Sequence, residues 1–224
     1  MTVEAATQAA SGTVLLLHGF AGLPIMNRPL SRMLRSAGFE TRELGYDSWG
    51  KSLPEVCDRL VPRIARIAAS SEGPLHFVGH SMGGLVIRAL LRCDRPANLG
   101  HVVMIGTPNA GSEVADFIDE WPLLRPILGK AAPALVTRRA GSMDAMLGSV
   151  DYSLGIIAGD RQIPVAGLSR LIPGPNDGKV SVASTQIAEA ADHITLPYSH
   201  TLLLYHPQAQ RQVRHFLLHG CFDR

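Results

Sequence analysis

Six short apolar runs, near Val14, Phe39, Leu75, Val102, Gly155 and His193, alternate with stretches whose apolar residues recur at helical spacing. An alternation of this kind restricts the chain to a parallel sheet with helices on both faces, because each parallel strand needs a crossover to return to the same edge. The expected fold class is therefore α/β, with a mostly parallel sheet of about six strands. Helix boundaries are marked as well. Leu30, Met33, Leu34 and Ala37 share one face, and Gly38 can end that helix in the left-handed conformation. Ser52, Pro54 and Glu55 form a capping box with a proline in the first turn, ahead of Val56, Leu60, Ile64 and Ile67.

Ligands of such sheets bind outside the carboxyl ends of the strands, which confines the search for chemistry to the residues that follow each run. The densest signal there is Gly79-His80-Ser81-Met82-Gly83-Gly84, a GxSxG pattern between the buried-strand run Leu75 to Val78 and a helical run through Leu85, Val86, Ala89 and Leu90. A strand that turns this sharply into a helix crowds the backbone around the serine, and glycine relieves the crowding. It also thrusts Ser81 out of the sheet edge, with the first helical amide, that of Met82, beside its oxygen.

A serine hydroxyl needs a base, and the base needs an acid to orient it. Nine histidines and two aspartates that follow the fifth run, Asp160 and Asp177, supply the candidates. Tyr198-Ser199-His200 follows the last strand and precedes an apolar helix, whereas His193 lies at the start of that strand, at the other edge of the sheet. His206 falls at the entry to the last helix. His215 and His219 have a metal-compatible spacing but no carboxylate or cysteine in the local pattern, so no metal is expected. His18 and His80 flank the site as supporting residues. The residues alone leave Asp160 and Asp177 both open.

The His18-Gly19 pair, the GHSMGG stretch, the GTPNAGS loop from Gly106 and the Asn176-Asp177-Gly178 segment together resemble the small bacterial lipases and esterases of the α/β-hydrolase superfamily, from Val14 to Leu218. The resemblance implies an α/β-hydrolase fold of minimal size, with the triad Ser81, Asp177 and His200 and a second oxyanion donor at the amide of Phe20. It favours Asp177 over Asp160, because in those lipases an aspartate followed by glycine and an apolar residue is the triad acid. It also implies a short apolar cap at about residues 112–151, where Phe117, Ile118, Trp121 and Leu124 would meet the substrate. The expected activity is serine carboxylic-ester hydrolysis through an acyl-serine, with an apolar ester or lipid as substrate, contact with a lipid interface and no cofactor. Acyl transfer, thioester or amide cleavage and lipid head-group deacylation would use the same residues. A binding module that holds an apolar ligand without turning it over would not need all three residues in this order.

Composition narrows the remainder. A length of 224 residues suits one domain, expected over residues 13–224 after a disordered stretch at 1–12. A net charge of +2, with no basic run interleaved with aromatics, argues against nucleic acid, and Arg138-Arg139 reads as a solvated face. No apolar run reaches the length of a membrane span. Met1 to Ser11 does not read as a secretory leader, and the three cysteines are odd in number and far apart, so a cytoplasmic protein with reduced thiols is expected. Nothing in the pattern sets an oligomeric state.

Overall fold

The computed structural model describes residues 12–162 and 168–224, so the expectation for the amino terminus falls, Gly12 apart, outside the described residues. Six strands are present among them: β1 Thr13–Leu17, β2 Glu40–Leu44, β3 Leu75–His80, β4 Leu99–Ile105, β5 Leu154–Gly159 and β6 Asp192–Leu196. They form one sheet in the order β2-β1-β3-β4-β5-β6, with every neighbouring pair parallel. The helices are α1 Arg28–Ser36, α2 Leu53–Ser70, α3 Met82–Cys93, α4 Glu113–Glu120, α5 Ala132–Leu135, α6 Gly141–Leu147, α7 Val182–Thr185, α8 His200–Tyr205 and α9 Pro207–His219.

Why the central strands read as unbroken apolar runs follows from the period of two along a strand. Leu15 and Leu17 point to one face and join Val56 and Leu60 of α2 and Leu85 of α3 in one core. Val14 and Leu16 point to the other, against Leu30 and Leu34 of α1 and Phe216 of α9. Both faces are covered, so no position of β1 can be polar and exposed. The edge strand β2 is free of that demand and alternates charged and buried residues.

The helix signals hold. Ser52 and Glu55 close the capping box of α2, with the Ser52 amide donating to Glu55 Oε2 at 2.8 Å. Gly38 follows α1 with φ +99°. Between β4 and β5 the chain runs through α4, a short 3-10 segment at Arg125–Ala131, α5 and α6, and the first three of these lie beside the cavity at the carboxyl ends of the strands. The three cysteines are free thiols, Cys57 buried and Cys93 and Cys221 exposed. Among the described residues no helix is long and apolar enough to cross a membrane.

Candidate active site

β3 passes into α3 with only Ser81 between them, and that residue takes φ 55° and ψ −126°. Among the described residues only Ala21 is another non-glycine with positive φ. Such a backbone costs on the order of 1–3 kcal/mol and persists only where neighbours over-determine it. Here they do: the Ser81 amide donates to the Ile105 carbonyl at 2.8 Å, and the Ser81 carbonyl accepts from Gly84 N–H and Thr107 Oγ1, each at 3.0 Å. A Cβ on Gly79 would stand 2.6 Å from the Gly83 carbonyl carbon, and one on Gly83 would stand 2.5 Å from the Leu17 oxygen. Gly84, which the sequence pattern leaves unexplained, is needed for a third reason: a Cβ there would lie 2.1 Å from Thr107 Oγ1.

Asp177 and His200 meet directly. His200 Nδ1 donates to Asp177 Oδ2 at 2.7 Å, and the His200 amide donates to the Asp177 carbonyl at 3.0 Å. The other carboxylate oxygen, Oδ1, accepts the amides of Lys179 at 2.9 Å and Val180 at 2.8 Å. That Asx turn is what the Asn-Asp-Gly sequence encodes, and it explains how a carboxylate can be buried: its oxygens are already satisfied. A carboxylate only accepts, which assigns the imidazole proton to Nδ1 and leaves Nε2 with a lone pair. Gly106, at φ +57°, lets the loop after β4 lie on this pair, since a Cβ there would be 3.2 Å from both Asp177 Oδ2 and His200 Nδ1. Asp160, by contrast, is exposed, and its amide donates to the Leu196 carbonyl at 3.2 Å. Ser81 and His200 line the same cavity, and among the described residues no hydrogen bond joins their side chains.

His80 supports His200 from behind. Its Nε2 donates to the His200 carbonyl at 3.0 Å and the two rings lie 5.0 Å apart. Burial, with the neighbouring His200 second, pushes His80 down to about 3 from 6.5, so the folded protein keeps it neutral while the unfolded chain takes up a proton. Burial lowers His18, His101 and His193 in the same direction. Folding stability is therefore expected to fall as pH drops from 6.5 towards about 3, by up to about 1.4 kcal/mol per pH unit from His80, and to gain nothing from this group above that window. Urea midpoints at pH 7.5 and 4.5 check this; His80→Gln, which keeps a donor for the His200 carbonyl, should narrow the gap, and an unchanged gap would refute the assignment.

The loop after β1 packs beside Ser81. The Gly19 carbonyl accepts from Gly22 N–H at 3.1 Å and from His18 Nδ1 at 2.9 Å, both on one side of the peptide. In a planar trans peptide the next N–H points the opposite way, so these two bonds fix the direction of the Phe20 amide. The loop lies against the serine: a Cβ on Gly19 would be 3.0 Å from Ser81 Cβ. His18 is held in turn by Tyr46, whose ring stacks on it at 4.3 Å and whose amide donates to Nε2 at 3.4 Å. The Met82 amide, at the start of α3, is the second candidate donor.

These groups open on a cavity of about 480 Å³ whose lining includes the apolar Val114, Ala115, Ile118, Leu128 and Leu135. Of the four expected cap residues, only Ile118 lines it. Phe117 and Trp121 are one turn apart on the neighbouring flank, where their rings pair at 5.9 Å, and Leu124 sits in the turn that follows, its amide bonded to the Trp121 carbonyl. At 100° per residue Val114, Phe117, Ile118 and Trp121 do share one broad stripe of α4, but only its edge with Val114 and Ile118, continued by Ala115, meets the cavity, while the edge with Phe117 and the non-helical Trp121 at the C-cap does not. The expected stripe is present as one face, and the correction is that only part of it lines the cavity.

Arg139 is a second correction. Arg138 is exposed and paired with Glu120, as a solvated face requires, but Arg139 is half-buried and clamps the GTPNAGS loop. Its guanidinium donates to the carbonyls of Ala134, Asn109 and Pro108 at 2.9, 2.6 and 2.7 Å. Burial and the nearby Arg88 push it down to about 10. Asn109 is tied further by Nδ2 to the Thr185 carbonyl at 2.8 Å and by Oδ1 to Arg88 at 3.3 Å. Most of the GTPNAGS motif thus holds the loop's shape.

No known family model matches the chain. Solved structures do resemble it. The mature lipase BlEst2 of Bacillus licheniformis superposes with a TM-score of 0.70 at 17% identity, over 94% of this chain and 92% of that one. A metagenomic carboxyl esterase, MGS0156, gives 0.65 at 17%, covering 95% and 74% of the two chains. The monoacylglycerol lipase of Paleococcus ferrophilus gives 0.57 at 15%, covering 93% and 94%. Likeness at these identities establishes the fold, and the chain has the α/β-hydrolase fold.

Proposed function

We propose that this protein is a serine carboxylic-ester hydrolase that works through an acyl-serine on esters with an apolar acyl group. The observation that carries the reading is the buried Asp177–His200 pair, bonded at 2.7 Å, at the wall of the cavity that holds Ser81 on its strained turn. Fold likeness to lipases and esterases is compatible with it but would not license it, since one fold hosts many chemistries.

In this reading Ser81 Oγ attacks the ester carbonyl while His200 Nε2 takes the hydroxyl proton, and Asp177 stabilises the imidazolium that results. The carbonyl oxygen becomes an oxyanion between the amides of Phe20 and Met82, each such donor contributing roughly 3–4 kcal/mol in a site that excludes water. Collapse of the tetrahedral intermediate breaks the bond to the alcohol, which leaves with the proton from His200. Water then repeats the sequence in reverse on the acyl-serine and releases the acid. The acyl chain packs on the apolar wall supplied by the β4–β5 connection, which acts as the cap.

A chain-length series of para-nitrophenyl esters, from acetate to laurate, tests this. We expect kcat/KM to rise with acyl length until the cavity is filled and then to level or fall. A matched series of acyl thioesters in the same assay separates ester from thioester preference. No turnover of any member, with a folded protein, would overturn the reading in favour of a binding module.

A further inference from the structure

One residue with a charged side chain lines the cavity. Lys179 lines it, and among the described lining residues there is no aspartate, glutamate, arginine or second lysine. Its backbone is fixed from two directions, since the amide donates to Asp177 Oδ1 at 2.9 Å and the carbonyl accepts from Ser112 Oγ at 2.7 Å. The ammonium group is not so committed: the residue lines the cavity yet is exposed to solvent, and none of the ion pairs among the described residues includes it. Its charge is nonetheless felt inside the site, as one of the influences that keep His80 neutral. An unmatched cation beside a mostly apolar pocket favours any ligand that brings an anion to it and loses little of its hydration until that ligand arrives.

Its location also selects which half of a substrate would carry the anion. His200 returns its proton to the departing alcohol, so the alcohol lies towards the Asp177–His200 pair, and Lys179 is two residues beyond Asp177. The acyl half is left to the apolar part of the lining, Val114, Ala115, Ile118, Leu128 and Leu135. We infer that the substrate is an acyl ester whose alcohol bears an anionic group, a carboxylate or a phosphate, held by Lys179 Nζ. This specificity rests on the hydrolase reading above.

Two matched pairs of esters test it, each with one acyl group and a charged or neutral alcohol: para-butyryloxybenzoate against para-butyryloxybenzamide, and octanoylglycerol phosphate against octanoylglycerol. The quantity read is the charged-to-neutral ratio of kcat/KM in wild type, Lys179→Met and Lys179→Glu. For at least one pair the ratio should fall about 10-fold in Lys179→Met, the size of a hydrogen bond to a charged group, and further in Lys179→Glu. A fall in the glycerol pair assigns the anion to a lipid head-group phosphate, and a fall in the benzoate pair alone assigns it to a soluble acid. A ratio that Lys179→Met leaves unchanged in both pairs overturns the assignment while the hydrolase reading stands. A folded wild type inert towards all four esters overturns both.

Discussion

Ser81→Ala is expected to lower kcat for the preferred para-nitrophenyl ester by on the order of 10⁶-fold, the loss seen when an acyl-enzyme nucleophile is removed from an otherwise intact site. Alanine keeps the Cβ, so the φ of 55° and the bonds that hold it, from the Ile105 carbonyl, Gly84 and Thr107, are untouched. The thermal midpoint should therefore move by no more than a few degrees, and circular dichroism should superpose on wild type. Residual turnover within 10-fold of wild type would remove Ser81 from the mechanism. A large loss accompanied by unfolding would say only that the turn is fragile, and the melt distinguishes these results.

The second large effect separates two aspartates. Asp177→Asn should lower kcat by about 10⁴-fold, while Asp160→Asn should change it less than about 3-fold. The argument is one of proton placement. An asparagine at 177 can keep its oxygen towards the amides of Lys179 and Val180, which preserves the turn, but this turns its NH₂ group towards His200 Nδ1. Nδ1 must then accept, the proton moves to Nε2, and the nitrogen that should take the serine proton is blocked. Asp160 is exposed and holds no imidazole, so its loss touches none of this. Kinetics on the two purified variants, with the reverse ranking as the refuting outcome, decide between them.

The contrast between those aspartates also marks where sequence reasoning stopped. Both follow the fifth strand, and nothing in their spacing says which turn folds back over the sheet edge. What decides is three-dimensional: the Asx turn at Asp177 and the left-handed Gly106, which together close the β4 loop onto the acid and the imidazole. The sheet was legible for the opposite reason. Strands such as β1 are buried on both faces and leave a continuous apolar signature, and α2 carries its own capping signal in Ser52 and Glu55. Arg139 is not legible in the sequence because a charge pair looks solvated unless the carbonyls it meets, here those of a loop and of α5, are known. Apolar periodicity likewise fixes which residues share a stripe, not which part of it meets a ligand, and Phe117, Trp121 and Leu124 lie outside the cavity lining.

The chain holds two tryptophans, and both belong to the same corner of the molecule. Trp121 closes α4, and Trp49, from the loop after β2, donates its indole N–H to the carbonyls of Pro126 at 3.2 Å and Ile127 at 3.1 Å. About half of each residue's surface is open to solvent, at 53% for Trp49 and 55% for Trp121. Intrinsic emission from this protein therefore comes from the cavity's rim and hardly at all from its core. Any rearrangement of that rim during turnover will register in stopped-flow fluorescence without a label, free of the background that a buried indole would add.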